Sequence, residues 1–213
     1  ELETFCEALL RGDEHESAAM IAAAQARGLS LETVYTGYVA AAAARLGGQW
    51  EAGLIGCLEM MAVAGRLYAI MRSLRPAAPV AGPGAVRRAI FASVPGDVHF
   101  LGVTMAADMF RQRGWQVDLL TGLDHDALLQ RINRADVPVI GLSAGPEALL
   151  MPLARLVMAL RINRPEALIV LGGRITGQRP DLAQLIDADH IAGDAISAIA
   201  PVTALLQARA SAA

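Results

Sequence analysis

The second half of the chain alternates short apolar runs, rich in strand-forming residues, with longer segments of helical periodicity. The strand-like runs cover residues 89–94, 116–120, 138–142, 168–171 and 190–192, and the helical segments cover 101–113, 124–135, 146–163, 180–186 and 194–208. Helices between successive strands predict a parallel sheet, because parallel neighbours need a crossover connection. We therefore expect a flavodoxin-like, Rossmann-type sheet of five parallel strands with flanking helices, whose ligand lies beyond the carboxyl ends of the strands.

The first 75 residues have a different rhythm, in which apolar positions recur at helical spacing. The helical blocks are 2–11, 14–27, 31–46 and 54–74, with glycines at the breaks at Gly12, Gly28, Gly47-Gly48 and Gly53. This pattern predicts a cap of four helices. Asp13 and Ser30 stand where N-terminal capping residues are expected, at the starts of the second and third helices.

A proline-rich, uncharged stretch separates the two halves. Residues 76–84 contain three of the ten prolines of the chain. Proline interrupts both helices and central strands, so we interpret this stretch as a linker. The predicted organisation is a helical cap domain at 1–75, a linker at 76–85 and an α/β domain at 86–213.

The composition excludes several classes of protein. All 18 basic residues are arginine, and without lysine the chain has neither Schiff-base chemistry nor a lysine-containing phosphate loop. The net charge of −3 argues against direct binding of nucleic acid. Charged residues interrupt every long apolar stretch, so we expect no membrane span.

The two cysteines, Cys6 and Cys57, are too few for a disulfide framework. They favour a reducing cytoplasm, and residues 1–12 show no signal-peptide pattern. The start at Glu1 suggests an excised fragment.

One loop carries the strongest chemical signal. Asp97 and His99 follow the first predicted strand, where the Asp carboxylate can bind one ring nitrogen and leave the other to a metal. The alternative is a surface histidine beside a turn-forming aspartate. Ser143-Ala-Gly145 and Gly172-Gly173 end the third and fourth predicted strands, so all three loops converge on one crevice.

These residues resemble the cobalamin-binding domain family, whose pattern is D-x-H-x-x-G, then S-x-L, then G-G. Asp97, His99 and Gly102 fit the first element, Ser143 follows Gly102 after forty residues, and Gly172-Gly173 follow Gly145 after twenty-six. The resemblance implies that His99 is the lower axial ligand of the metal, that Asp97 supports it, and that Ser143, Gly172 and Gly173 line the slot for the nucleotide tail of the cofactor. The departure is Gly145 in place of Leu, which predicts an altered tail slot.

The helical half is similar to the cap domain that precedes cobalamin modules. Trp50 and Glu59-Met60 match its Trp-x8-Glu-His element, with Met60 in place of His. The resemblance implies that Trp50, Met60, Met61 and Val63 face the cofactor ring. The alternative for Met60 and Met61 is packing at a helix interface.

The methionine and the altered slot together resemble SCHIC domains, the haem-containing sensors of AppA- and PpaA-type photosynthesis antirepressors. This resemblance implies a non-enzymatic sensor of redox or light state that binds b-type haem, with cobalamin as the alternative cofactor. The implied partners are a PpsR-type transcriptional repressor and a BLUF photoreceptor domain outside this chain. Two further hypotheses are a corrinoid methyl-carrier subunit of a methyltransferase system and a scaffold that has lost its cofactor.

The remaining polar residues have simpler interpretations. We expect Asp124-His125-Asp126 to cap a helix and His15 and His190 to be structural or solvated. We expect Cys57 to be a buried apolar residue, the alternative being a redox-active or iron-binding thiolate. Ser143 has no base beside it in the sequence, and no hydrolase or zinc-protease motif is present. The chain is therefore expected to be a binding module and not an enzyme.

Overall fold

The computed structural model of the protein describes residues 1–12, 14–75 and 87–212, and the chain divides into two compact units, one ending at Arg75 and the other beginning after it. Asp13, the predicted cap of the second helix, and the predicted linker at 76–85 lie outside the described residues. Within the described part of the chain, no helix is both long and apolar enough to cross a membrane.

The first unit is helical. Its elements are α1 (Leu2–Arg11), α2 (Glu14–Ala26), α3 (Leu31–Val34), a π-helical segment (Tyr35–Ala40), α4 (Ala41–Glu51) and α5 (Cys57–Leu74). The segments from α3 to α4 follow one another without a break, so the unit has four helical stretches, as predicted. Ser30 caps α3 as expected, because its hydroxyl accepts a hydrogen bond of 3.1 Å from the amide of Thr33.

The predicted helix end at residue 46 is wrong. Gly47 and Gly48 lie inside α4, and the chain turns only at Gly53, whose φ of +72° suits glycine. Leu46 is fully buried, and this packing outweighs the cost of two helical glycines. The next helix begins at Cys57, where the Glu59 carboxylate accepts a bond of 2.6 Å from the amide of Gly56.

The second unit is the predicted α/β domain. Its strands are β1 (Arg88–Ser93), β2 (Gln116–Leu120), β3 (Val139–Ser143), β4 (Leu168–Gly172) and β5 (His190–Ile191), and its helices are α6 (Leu101–Gln112), α7 (His125–Ala135), α8 (Leu150–Asn163), α9 (Ile175–Gln178), α10 (Leu182–Leu185) and α11 (Ala195–Ala212). A 3₁₀ turn (Glu147–Leu149) precedes α8. The segment predicted as one helix at 180–186 forms only the short α10, and α9 was not predicted.

All five strands pair in parallel in the order β2-β1-β3-β4-β5, which confirms the flavodoxin-like fold. α6 contacts α11 and α7 contacts α8, so the helices flank the sheet in two groups. One buried cluster that packs on the sheet is aliphatic and includes Ile90, Ile140 and Leu142, which are almost completely buried. The connection after β1 leads to β2 on one side, whereas the connection after β3 leads to β4 on the other side. The loops after β1 and β3 therefore border the switch point.

Candidate functional site

The loop after β1 begins with a tight turn that places Asp97. The amide of Asp97 donates a hydrogen bond of 3.0 Å to the carbonyl of Val94. Pro95 and Gly96 occupy the central positions, and Gly96 has a φ of +88°, as the second central residue of a type II turn requires. The Pro-Gly pair in the sequence is therefore the local reason that Asp97 lies where it does.

The carboxylate of Asp97 is buried and accepts three hydrogen bonds. Its Oδ1 accepts from the backbone amide and from the ring Nδ1 of His99, each at 2.9 Å, and its Oδ2 accepts from the amide of Gly145 at 2.6 Å. Only 1% of the side chain is exposed. Three N–H donors compensate a carboxylate for its loss of water, so Asp97 is a rigid support.

The ring of His99 is oriented but accessible, since 56% of its side chain is exposed. Because a carboxylate can only accept, Nδ1 is the donor, and in the neutral ring Nε2 then has a free lone pair. A carboxylate bound to the second ring nitrogen is the usual partner of a metal-binding histidine, because it fixes the tautomer and raises the basicity of the ligand atom. The pair therefore has the geometry of a histidine that could bind a metal through Nε2.

The ends of β3 and β4 lie at the same edge of the sheet as the loop after β1. Ser143 pairs with Ser93 on one side and with Gly172 on the other in the strand register. The hydroxyl of Ser143 makes no hydrogen bond within the described residues. A Cβ atom at Gly172 would approach only the carbonyl of Ala192, at 4.0 Å, so there is open space beside this glycine.

Gly173 has a structural role that the sequence resemblance does not show. Its φ is +96°, and a Cβ atom there would lie 2.4 Å from the carbonyl oxygen of Ala144. The backbone of the β4 loop therefore lies directly on the end of β3.

Sequence reasoning missed Ser93 altogether and missed the contact that Gly145 makes. Ser93 lies at the end of β1, where its hydroxyl accepts a bond of 3.3 Å from the amide of Gly122, and Gly145 contacts Asp97. The signal available for Ser93 was its position at the end of a predicted strand, like that of Ser143. Gly102, which was predicted, lies in the first turn of α6, where a Cβ atom would meet nothing within 4 Å.

The predicted residues of the helical half lie in the other unit. Trp50 is in the last turn of α4 with 46% of its surface exposed, Met60 is partly buried in α5, and Met61 is 65% exposed. Two expectations are wrong. Val63 is fully buried and so has no surface to offer a cofactor, whereas Cys57 is exposed because it begins α5.

The other polar residues behave as structural groups. The Asp124 carboxylate caps α7 by accepting a bond of 2.8 Å from the amide of Ala127, as predicted. His15 is exposed on α2, and His190 is partly buried in β5. Among the described residues, no group of three or more His, Cys, Asp or Glu side chains is arranged to hold a metal ion by itself. A metal at His99 would therefore arrive with ligands of its own.

The fold and the site together define an α/β module with one oriented and exposed imidazole at the switch point of a parallel sheet. The donor set fits a corrinoid, which supplies four nitrogen ligands to its metal and needs one axial base from the protein. The chain belongs to the B12 binding domain family: a family model of that description matches residues 87–202. A second model, also described as a B12 binding domain, matches residues 1–75.

Solved structures share the fold of this chain. The chain is similar to the monomethylamine corrinoid protein of Methanosarcina barkeri, with a TM-score of 0.74 and 16% identity over 95% of this chain and 96% of that one. It is also similar to a cobalamin-binding protein of Desulfitobacterium hafniense, with a TM-score of 0.51 and 18% identity over 95% and 97% of the two chains. No curated protein matches the sequence.

These findings confirm the predicted family and fold. They lend no support to haem as the cofactor or to a resemblance to photosynthesis antirepressors.

Proposed function

We propose that this chain is a corrinoid-binding protein that carries a methyl group between a donor and an acceptor methyltransferase. The observation that carries the proposal is the Asp97–His99 pair, in which a buried carboxylate orients an exposed imidazole at the switch point of the sheet. The two family matches, which lie in both units, and the similarity to a corrinoid protein over almost the whole chain support it.

Each part of the site has a role in this proposal. His99 would bind the metal through Nε2, and Asp97 would hold the ring in place and keep the proton on Nδ1. Ser143 and the open space beside Gly172 would accept the nucleotide tail. A bound corrinoid supplies a cobalt ion able to accept and release a methyl group.

The chain itself would not catalyse either transfer. Its residues bind the cofactor and set the strength of the axial ligand, and the two methyltransferases would be its protein partners. Genes for methyltransferases beside the gene for this chain would support this role.

A haem-binding sensor that acts on a transcriptional repressor is the second candidate. Two observations favour it: Met60 occupies the position of the cap histidine, and Gly145 replaces the leucine of the family pattern. In this case His99 would bind iron, and the repressor and a photoreceptor domain would be the partners.

The experiment that separates the two candidates is a spectroscopic titration of the cofactor-free chain. Haemin, hydroxocobalamin and cobinamide, a corrinoid without a nucleotide tail, are added separately to the wild type, His99→Ala and Asp97→Asn. His15→Ala is the matched control, because His15 is exposed on a different unit.

We expect saturable binding of both corrinoids with the spectrum of an imidazole-bound cobalt. His99→Ala should abolish that spectrum, Asp97→Asn should weaken binding about tenfold to a hundredfold, and His15→Ala should change nothing. Binding of haemin alone, dependent on His99, would contradict the carrier and favour the sensor. Absence of any His99-dependent binding would refute both candidates.

A further inference from the structure

The loop after β3 is joined to the proposed metal site by the backbone of one residue. The amide of Gly145 donates a hydrogen bond of 2.6 Å to Oδ2 of Asp97. This is the only hydrogen bond that Oδ2 makes within the described residues, and the carboxylate is buried. The position of Asp97 therefore depends on the loop after β3 as well as on its own loop.

The contact leaves little room for a side chain at residue 145. A Cβ atom there would lie 3.2 Å from Nδ1 of His99 and 3.3 Å from each carboxylate oxygen of Asp97. Ordinary contacts of a Cβ atom begin at about 3.4 Å, so one of these neighbours would have to move.

The two neighbours differ in their freedom to move. Asp97 is buried and held by two backbone amides besides the His99 ring, whereas more than half of the His99 side chain is exposed. A side chain at residue 145 would therefore displace the imidazole first. The hydrogen bond between His99 Nδ1 and Asp97 Oδ1 would lengthen, and the carboxylate would hold the orientation of the imidazole ring less firmly.

We propose that Gly145 is a positioning residue for the His99 imidazole: its amide anchors Asp97, and its missing side chain leaves the space in which Asp97 and His99 meet. The inference rests on the proposed corrinoid function and adds a residue that determines how the axial ligand is presented. It also assigns the departure from the family pattern to the ligand side of the site and not to the tail slot.

The test uses Gly145→Ala with Gly177→Ala as the matched control. Gly177 lies in α9, and a Cβ atom there would meet nothing within 4 Å. Each chain is titrated with cobinamide and with hydroxocobalamin, and the fraction of bound cobinamide that shows the imidazole-coordinated spectrum is measured at saturation. Because cobinamide has no tail, it reports on His99 alone.

For Gly145→Ala we expect an affinity for cobinamide about tenfold lower than that of the wild type and a smaller imidazole-coordinated fraction at saturation. Gly177→Ala should behave as the wild type. Equal behaviour of the two variants would overturn the inference, as would a loss confined to hydroxocobalamin, which would place the effect at the tail. If the wild type shows no His99-dependent binding, the proposed function itself fails.

A measurement on the cofactor-free wild type keeps the inference testable even if Gly145→Ala does not fold. A short bond to a carboxylate shifts an amide proton downfield and slows its exchange, so we expect both effects for Gly145 in an NMR spectrum. Asp97→Asn should reverse them. A Gly145 amide that exchanges as fast as those of exposed loops would refute the anchor.

Discussion

Replacing Gly173 by alanine should destabilise the α/β unit, because the end of β3 leaves no space for a methyl group. A Cβ atom at this position would lie 2.4 Å from the carbonyl oxygen and 2.9 Å from the amide nitrogen of Ala144. Both are backbone atoms, so the conflict cannot be relieved by turning a side chain. The loop after β4 and the end of β3 would have to separate by roughly 1 Å to reach an ordinary contact of 3.4 Å.

The size of the effect follows from what that movement breaks. Ala144 makes two backbone hydrogen bonds across this contact, from its amide to Gly172 and from the amide of Ile175 to its carbonyl, each 3.2 Å long. Each is worth about 1 kcal/mol net. The φ of +96° at residue 173 costs an alanine about 1 to 2 kcal/mol more. We therefore expect a loss of about 3 kcal/mol in the free energy of unfolding.

The measurement is urea unfolding followed by tryptophan fluorescence. Trp115 is fully buried in the α/β unit, and the only other tryptophan, Trp50, can be replaced by phenylalanine so that the signal reports one unit. Gly177→Ala is the control and should change the free energy of unfolding by less than about 1 kcal/mol. Equal midpoints for Gly173→Ala and the control would refute the argument from the close approach.

Two further predictions concern stability. Burial raises the pKa of Asp189, but the hydrogen bond from Arg161, the amide of Ile169 and the charge of Arg209 outweigh it and hold the pKa below its ordinary value. Asp189 therefore stabilises the fold above about pH 4, and this stability is lost as the pH falls through the lowered pKa. Asp189→Asn should lower the free energy of unfolding by about 2 kcal/mol at pH 7, and this difference from the wild type should shrink below pH 4. A difference that stays constant in urea unfolding from pH 7 to pH 2 would contradict this. Ser30→Ala should lower the free energy of unfolding of the helical unit, measured by circular dichroism, by about 1 kcal/mol. An unchanged value would show that the hydrogen bond from the Thr33 amide to the Ser30 hydroxyl does not stabilise the unit.

The strands were predictable because their signal is local. The buried strands β1, β3 and β4 are short apolar runs bounded by turn-forming residues, and all five strands were placed within a residue or two of their observed ends. The continuation of α4 through Gly47 and Gly48 was not predictable. The energy that keeps these glycines helical comes from the burial of Leu46, which no local pattern reveals.

The site was only partly predictable for the same reason. Asp97 and His99 are two residues apart, so their hydrogen bond follows from the sequence of one loop. The bond from Gly145 to Asp97 spans 48 residues and involves a backbone amide, which has no signature in the residue types. A sequence comparison therefore shows Gly145 as a departure from a pattern, and only the fold shows what that departure contacts.

The segment Ser143–Gly145 serves the fold and the site by separate contacts. Ala144 holds the loop after β4 against the end of β3, and Gly145 holds the carboxylate that orients His99. Ala144 contacts the β4 loop through its backbone, so a change opposite it at Gly173 should lower the stability of the unit before it alters the imidazole. Gly145 contacts the ligand pair itself, and the exposed ring of His99 can move without unfolding the sheet. A change at Gly173 should therefore mainly reduce stability, and a change at Gly145 should mainly reduce the imidazole-bound spectrum. The two residues nevertheless follow neighbouring strands at one edge of the sheet.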